Sequence, residues 1–474
     1  MKRKIFKLIA FFLACLMILS LAACGNDAGT PSQSTAQSSG TDDSSASDSQ
    51  DVTEGSDAAE DPGSDEVVTL NYVSWMTKGE DIPLLDDFMA ENANIRVVNQ
   101  SLDGADYANL LNTMMLSGTI PDVFLCQQPL LGDLVRNGFI QPVDDIPGVA
   151  KQQEAGAIND LMSVDGRVYA YVLNGGKGVV FVYYNTLYFE ANGLSPAGNQ
   201  AEYEQLMRDI AALGDVPLIV SAGDIWSADY AAMTIYQDMA LEIDIAGINS
   251  TELALLRNEI KVSDLRGDQF RKLAQFYNDG FVSPDALAMG WEQACQFFVD
   301  GGAQLFPMGN WVPGSTPVQE SDPTTFQIGA FPLPSATLSD GTRHILVGTD
   351  RIAVLSAHSD HPEAARKLYE YIIRDDVLIG YLERQGLIGI NVEARVDPVF
   401  EYSFNNFAQP DVTLVTSVLN MMPGGFGEMF WQYCADIFTG ANIDELLSRI
   451  DDDFDAFMST IDSDEYINAI EANR

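Results

Sequence analysis

The chain has 474 residues, 46% of them hydrophobic, and a formal net charge of −44. The apolar share fits folded globular material, and the length leaves room for two domains, each with its own core. The acidity excludes nucleic acid, whose phosphates call for Lys and Arg, and adsorption to an anionic membrane surface.

The first predicted element is a secretory signal over 1–23. Lys2, Arg3, Lys4 and Lys7 precede an apolar run over 8–21 that ends in Leu21-Ala22-Ala23-Cys24. A basic start, a short apolar run and small residues at the cleavage point make such a signal. The run is also shorter than the roughly 20 residues that span a bilayer. A cysteine at the cleavage point resembles the bacterial lipobox. Cys24 would then carry a diacylglyceryl thioether and an acylated amino terminus, and two or three chains anchor stably where one does not. The plainer alternative is a secreted protein with a chance cysteine. Residues 24–65 follow as the lipidated Cys and a Ser/Asp-rich stretch without Lys, Arg or an aromatic side chain. Such composition cannot offset its ordering entropy and predicts a disordered tether, with about 40 residues spanning roughly 35 Å.

Order is expected from residue 66. Residues 67–73 read as a β-branched strand, 82–92 as a helix with Leu84, Leu85, Phe88 and Met89 on one face, and 95–98 as a second strand. A helix over 107–116 and a strand from Pro121 follow. Further on, 179–184, 218–220 and 352–355 read as strands, and 203–213 as a helix. Pro362 opens another helix. Asn442 and Glu445 form a capping-box pair ahead of an apolar stripe through Phe457. Alternating strands and helices of these lengths predict an α/β fold with largely parallel sheets.

Little in the chain suggests reaction chemistry. Cys126, Cys295 and Cys434 are far apart without a CxxC spacing, so they read as buried apolar thiols. His344, His358 and His361 do not make a zinc site, and no cofactor is expected. The run Asp451-Asp452-Asp453-Phe454-Asp455 lacks EF-hand spacing, and Gly175-Gly176-Lys177 is not a phosphate loop.

Several segments together resemble the extracellular solute-binding proteins of ABC sugar importers, the family that includes maltose-binding protein. They are Ser117-Gly118-Thr119-Ile120-Pro121-Asp122-Val123-Phe124, Asn137-Gly138-Phe139-Ile140-Gln141-Pro142-Val143-Asp144 and Asp165-Gly166-Arg167-Val168-Tyr169-Ala170. Tyr183-Tyr184-Asn185 with Gly193-Leu194-Ser195-Pro196, Phe298-Val299-Asp300-Gly301-Gly302-Ala303 with Met308-Gly309-Asn310-Trp311, and Gly329-Ala330-Phe331-Pro332-Leu333-Pro334 complete the series. The resemblance departs after Pro196 and near Tyr171-Val172-Leu173. It implies a two-lobed periplasmic-binding-protein-like fold with a hinge and a central cleft. Lobe 1 would comprise 66–175 with 350–395, and lobe 2 would comprise 176–349 with 396–474. The chain would cross near 173–178, 346–350 and Val396. It implies a monomer on the extracytoplasmic face of the cell membrane, delivering a carbohydrate to ABC permease subunits.

Sugars present flat apolar faces ringed by hydroxyls, so their sites combine aromatic platforms with polar groups. Trp75 follows the first strand, where α/β sheets bind ligands; its alternative is packing on the first helix. Gln127 and Gln128 follow the third strand as hydroxyl-binding amides. Trp226 follows a strand as a rim aromatic. The resemblance points to Trp311 and Trp431 as cleft aromatics, with a helix–helix contact as the alternative for Trp431. Asp350, at the second crossing, would accept sugar hydroxyls or form a hinge salt bridge. Trp291 reads as core, and Asp122 as a loop clamp. The rival function is an exported lipoprotein glycosidase, which needs two carboxylates flanking the bond; no serine-nucleophile elbow or metal cluster accompanies it.

Overall fold

The computed structural model describes residues 67–76, 79–102, 107–127, 130–154, 162–164, 166–176, 180–234, 250–334, 344–346, 348–349, 351–389, 392, 397–401, 413–415, 426–461, 463–464 and 467. The signal over 1–23, Cys24, the tether, Gln128, Lys177, Asp350 and Val396 lie outside them.

The alternation read from the sequence builds the first sheet. Strand β1 (Val68–Ser74) leads through helix α1 (Ile82–Glu91) to β2 (Ile95–Ser101), then through α2 (Tyr107–Ser117) to β3 (Val123–Cys126). The strands β2, β1 and β3 are parallel neighbours. Helix α1 turns Leu84, Leu85 and Phe88 inward from the stripe its spacing predicts. The chain continues through β4 (Ala170–Val172), β5 (Gly175–Gly176) and β6 (Val180–Asn185) to α3 (Gln200–Leu213), α4 (Ile225–Met233), α5 (Val262–Asn278) and α6 (Trp291–Val299). Strands β7 (Leu305–Gly309), β8 (Ile328–Pro332), β9 (Gly348–Thr349) and β10 (Ile352–Leu355) come next. Helices α7 (Pro362–Ile372), α8 (Asp375–Gln385), α9 (Phe426–Asp436) and α10 (Ile443–Met458) complete the main elements.

The first sheet has the order β2-β1-β3-β10-β4, and the second β8-β6-β7. Largely parallel sheets were expected, and here the structure differs. Strand β10 is antiparallel to both β3 and β4, and β6 is antiparallel to both β7 and β8. The reason is connectivity: β10 joins the first sheet directly from the crossing strand β9, and so runs against β3. The expected strand 218–220 shrinks to Leu218, bridged to Leu305 and Val282, because Pro217 precedes it and a turn closes at Asp224, whose amide donates to the Ser221 carbonyl.

Between the sheets the chain passes through β5 and returns through β9. These pair antiparallel, Gly176 with Gly348 and Gly175 with Thr349. A third passage follows α8 at Gly386, which adopts φ 66°, a left-handed conformation that suits glycine. Leu387 belongs to the first core and Ile388 to an apolar cluster of the second sheet.

Each sheet carries its own apolar core. Local signals hold at the edges: Asn442 Oδ1 accepts from the Asp444 and Glu445 amides, and Asp122 accepts from the Asn71 amide at 2.7 Å and from Ser359 Oγ. Cys126, Cys295 and Cys434 are free and buried. Burial raises the Cys295 thiol to about 11, which keeps it protonated and inert.

Candidate functional site

Trp75 stands just beyond β1, half-buried against the first core. Its ring neighbour is Tyr107 on α2, with ring centroids 5.0 Å apart edge to face. The Tyr107 hydroxyl donates to the Leu125 carbonyl, and burial keeps that phenol neutral. The parallel register Val73–Phe124 brings half-buried Gln127 to the same carboxyl edge as Trp75.

The second sheet carries a larger aromatic group at the end of β7. The rings of Trp226 and Trp311 lie 6.1 Å apart, those of Tyr230 and Trp311 6.3 Å, and those of Trp226 and Tyr230 5.7 Å. Trp226 and Tyr230 are one helical turn apart on α4, a spacing that places them on one face. The sequence points to Trp226 but not to Tyr230, which shares its face only once α4 is known to turn that face toward Trp311. Trp311 packs against the first core and against an apolar cluster of the second sheet.

Local chemistry fixes the Trp311 ring. The buried Tyr183 hydroxyl donates to the Gly309 carbonyl at 2.8 Å. The indole then folds back over Gly309, where an added Cβ would lie 2.1 Å from ring carbons. Gly309→Ala must therefore dislodge the ring or β7. Overpacking of this kind costs about 1–3 kcal/mol, so a urea titration should show that loss together with a shift in tryptophan emission. Unchanged emission would mean that the ring does not depend on this seat.

Asp224 ties the starts of two helices together. It precedes α4, and its carboxylate accepts from the Trp291 amide of α6 at 2.7 Å. Trp291 is half-buried against the same apolar cluster, in keeping with a packing role. Trp431 is half-buried on α9, which packs along α4; among the described residues no ring pairs with it. The structure thus brings Trp226 and Trp311 together and puts Trp75 and Gln127 at the same sheet edge, while Asp350 lies outside the described residues.

No curated protein matches the chain in sequence. Solved structures do match in fold. A chitin oligosaccharide binding protein superposes with a TM-score of 0.69 at 16% identity, over 83% of this chain and 100% of its own. A sugar transporter from Bacillus licheniformis in complex with stachyose gives 0.67 at 17%, over 81% and 99%. RafE in complex with raffinose gives 0.64 at 19%, over 82% and 100%. The fold is the two-lobed one of periplasmic solute-binding proteins. Residues 75–378, from Trp75 through both sheets into α8, match the sequence profile of bacterial extracellular solute-binding proteins; the chain belongs to that family, whose members bind solutes and are not enzymes.

Proposed function

We propose that this protein captures a sugar, in particular an oligosaccharide, outside the cell and delivers it to the permease of an ABC importer. The observation that carries the reading is the group Trp226, Tyr230 and Trp311, three rings within 5.7–6.3 Å of one another. Such a surface suits the apolar faces of pyranose rings. Trp75 and Gln127 add a second platform and an amide from the first sheet. Asp350 and Trp431 complete the proposed set. Similarity in fold to a chitin oligosaccharide binding protein and to proteins in complex with stachyose and raffinose supports the same class. The glycosidase alternative finds no support in the family.

The two lobes, 66–175 with 350–395 and 176–349 with 396–474, would close on the solute by hinge motion about the crossing strands. The protein would work as a monomer, anchored through Cys24 and free to reorient on its 24–65 tether. Cys24→Ala is expected to release the protein from the cell or leave its signal uncleaved; processed, membrane-bound variant protein would refute the anchor.

The central experiment is a thermal-shift screen with raffinose, stachyose and chitin oligosaccharides against peptide, polyamine and anion controls. A sugar at 100 times its Kd should stabilise the protein by about 2.7 kcal/mol and be recovered unchanged. Stabilisation by a control class alone, or turnover of the sugar, would overturn the reading.

A further inference from the structure

A buried polar chain starts beside Trp75 and ends at the crossing strands. Asp81 occupies the position before α1, where an aspartate ordinarily caps its own helix. Here it makes no side-chain cap. It is fully buried and serves other partners. The Tyr72 hydroxyl donates to Oδ2 at 3.2 Å and the Tyr381 hydroxyl to Oδ1 at 3.1 Å. Burial pushes the carboxyl upward, while the Ser74 hydroxyl and the nearby Arg351 draw it back. The Tyr381 oxygen in turn accepts from Arg351 Nη1 at 2.6 Å.

Arg351 is also built into the crossing. Its amide donates to Asn174 Oδ1 at 3.2 Å, and its carbonyl accepts from the Leu173 amide at 2.9 Å. Asn174 directly precedes β5, and Arg351 follows β9 by one residue. At the other end of this polar chain, Ser74, the residue before Trp75, hydrogen-bonds Asp81. The third passage joins the same place. Gln385, the last residue of α8, donates to the Glu80 carbonyl at 3.3 Å. Its own carbonyl lies 3.4 Å from where a Cβ on Gly314 would stand, three residues beyond Trp311.

Two opposite charges buried on either side of a hydroxyl add little net stability, because desolvation offsets their attraction. What this arrangement supplies is direction: the hydroxyl relay fixes where Asp81, and with it Ser74 beside Trp75, stands relative to β5 and β9. We propose that Arg351 is a positioning residue that, through Tyr381 and Asp81, couples the placement of Trp75, next to Ser74, to the geometry of the crossing strands. Its relevance to capture rests on the reading of Trp75 as a solute platform.

The test needs no ligand. In the full chain, Tyr381→Phe removes the relay oxygen at nearly constant volume. Amide exchange should speed up about tenfold both in residues 70–82 and in the crossing segments 170–176 and 348–352, with β2 and α2 unchanged. Arg351→Met should lower the thermal midpoint, and Arg351→Met with Asp81→Asn, which leaves neither charge alone, should recover it. Exchange in both segments should nevertheless stay fast in the double variant. Faster exchange confined to α8, or recovery of exchange together with the midpoint, would overturn the coupling and leave a merely structural cluster. Trp75→Ala separates the two ideas. If it leaves raffinose and stachyose binding unchanged, the platform reading fails, whereas the exchange pattern of Tyr381→Phe decides the coupling in either case.

Discussion

Trp311→Ala should weaken solute binding about 100-fold, or about 2.7 kcal/mol, the largest loss expected from a single aromatic in this chain. The ring stands between partners. It lies 6.1 Å from Trp226 and 6.3 Å from Tyr230, and it packs on apolar clusters of both sheets. Truncation therefore removes a stacking surface and loosens its two neighbours at once. Trp291→Ala is the control, since Trp291 shares the apolar cluster but serves as a helix start whose amide is held by Asp224. It should lower the unfolding midpoint and leave affinity within about twofold, a change below 0.5 kcal/mol. Calorimetric titration with the sugar that gives the largest thermal shift distinguishes the two. Trp311→Ala binding within twofold of the parent would remove the aromatic group from the site.

Most of the first sheet was legible because its signals are local. Strand and helix periods and Pro362 at a helix start each state their structure within a few residues. Strand direction was not legible in the same way. Whether β10 runs with or against β3 depends on where the chain has been between Cys126 and Ile352, and no short window records that. The site divides along the same line. Trp75 stood out because it follows a strand directly, so sequence position alone puts it at a carboxyl edge, whereas Trp311 was reached only through the family resemblance. Tyr230 was missed because its place depends on which face of α4 meets Trp311, a tertiary fact. Asp81 was hidden for a further reason: an aspartate before a helix has a sufficient local explanation as a cap, and only the fold shows its carboxylate turned toward Tyr72 and Tyr381.

Arg266→Met should destabilise the protein by about 1–3 kcal/mol at neutral pH, because it strips Gln269 Oε1 of a buried donor and removes the cation that offsets the burial of Asp229. Asp229, which directly precedes Tyr230 on α4, is buried, as is Arg266 on α5. Burial raises the Asp229 carboxyl, and the Arg266 guanidinium opposes that rise. Arg266 also donates to Gln269 Oε1 at 2.8 Å and lies 5.0 Å from the Phe430 ring centroid. The pH dependence separates charge from packing. An acid whose folded pKa lies above its unfolded value penalises folding once pH exceeds the folded pKa, and the penalty fades as pH falls through it. Without Arg266 the folded pKa rises further, so acidification from neutral should restore part of the loss relative to the parent. Surface carboxylates such as Glu91, Asp144 and Asp376 are held low by arginines; their contribution is present at neutral pH and is lost on acidification, but equally in both proteins. The difference between variant and parent therefore isolates Asp229. Urea unfolding at pH 7 and pH 5.5 should show the gap narrowing, and Asp229→Asn in the same background should abolish that narrowing. An equal gap at both pH values would assign the role of Arg266 to its packing on Phe430 instead.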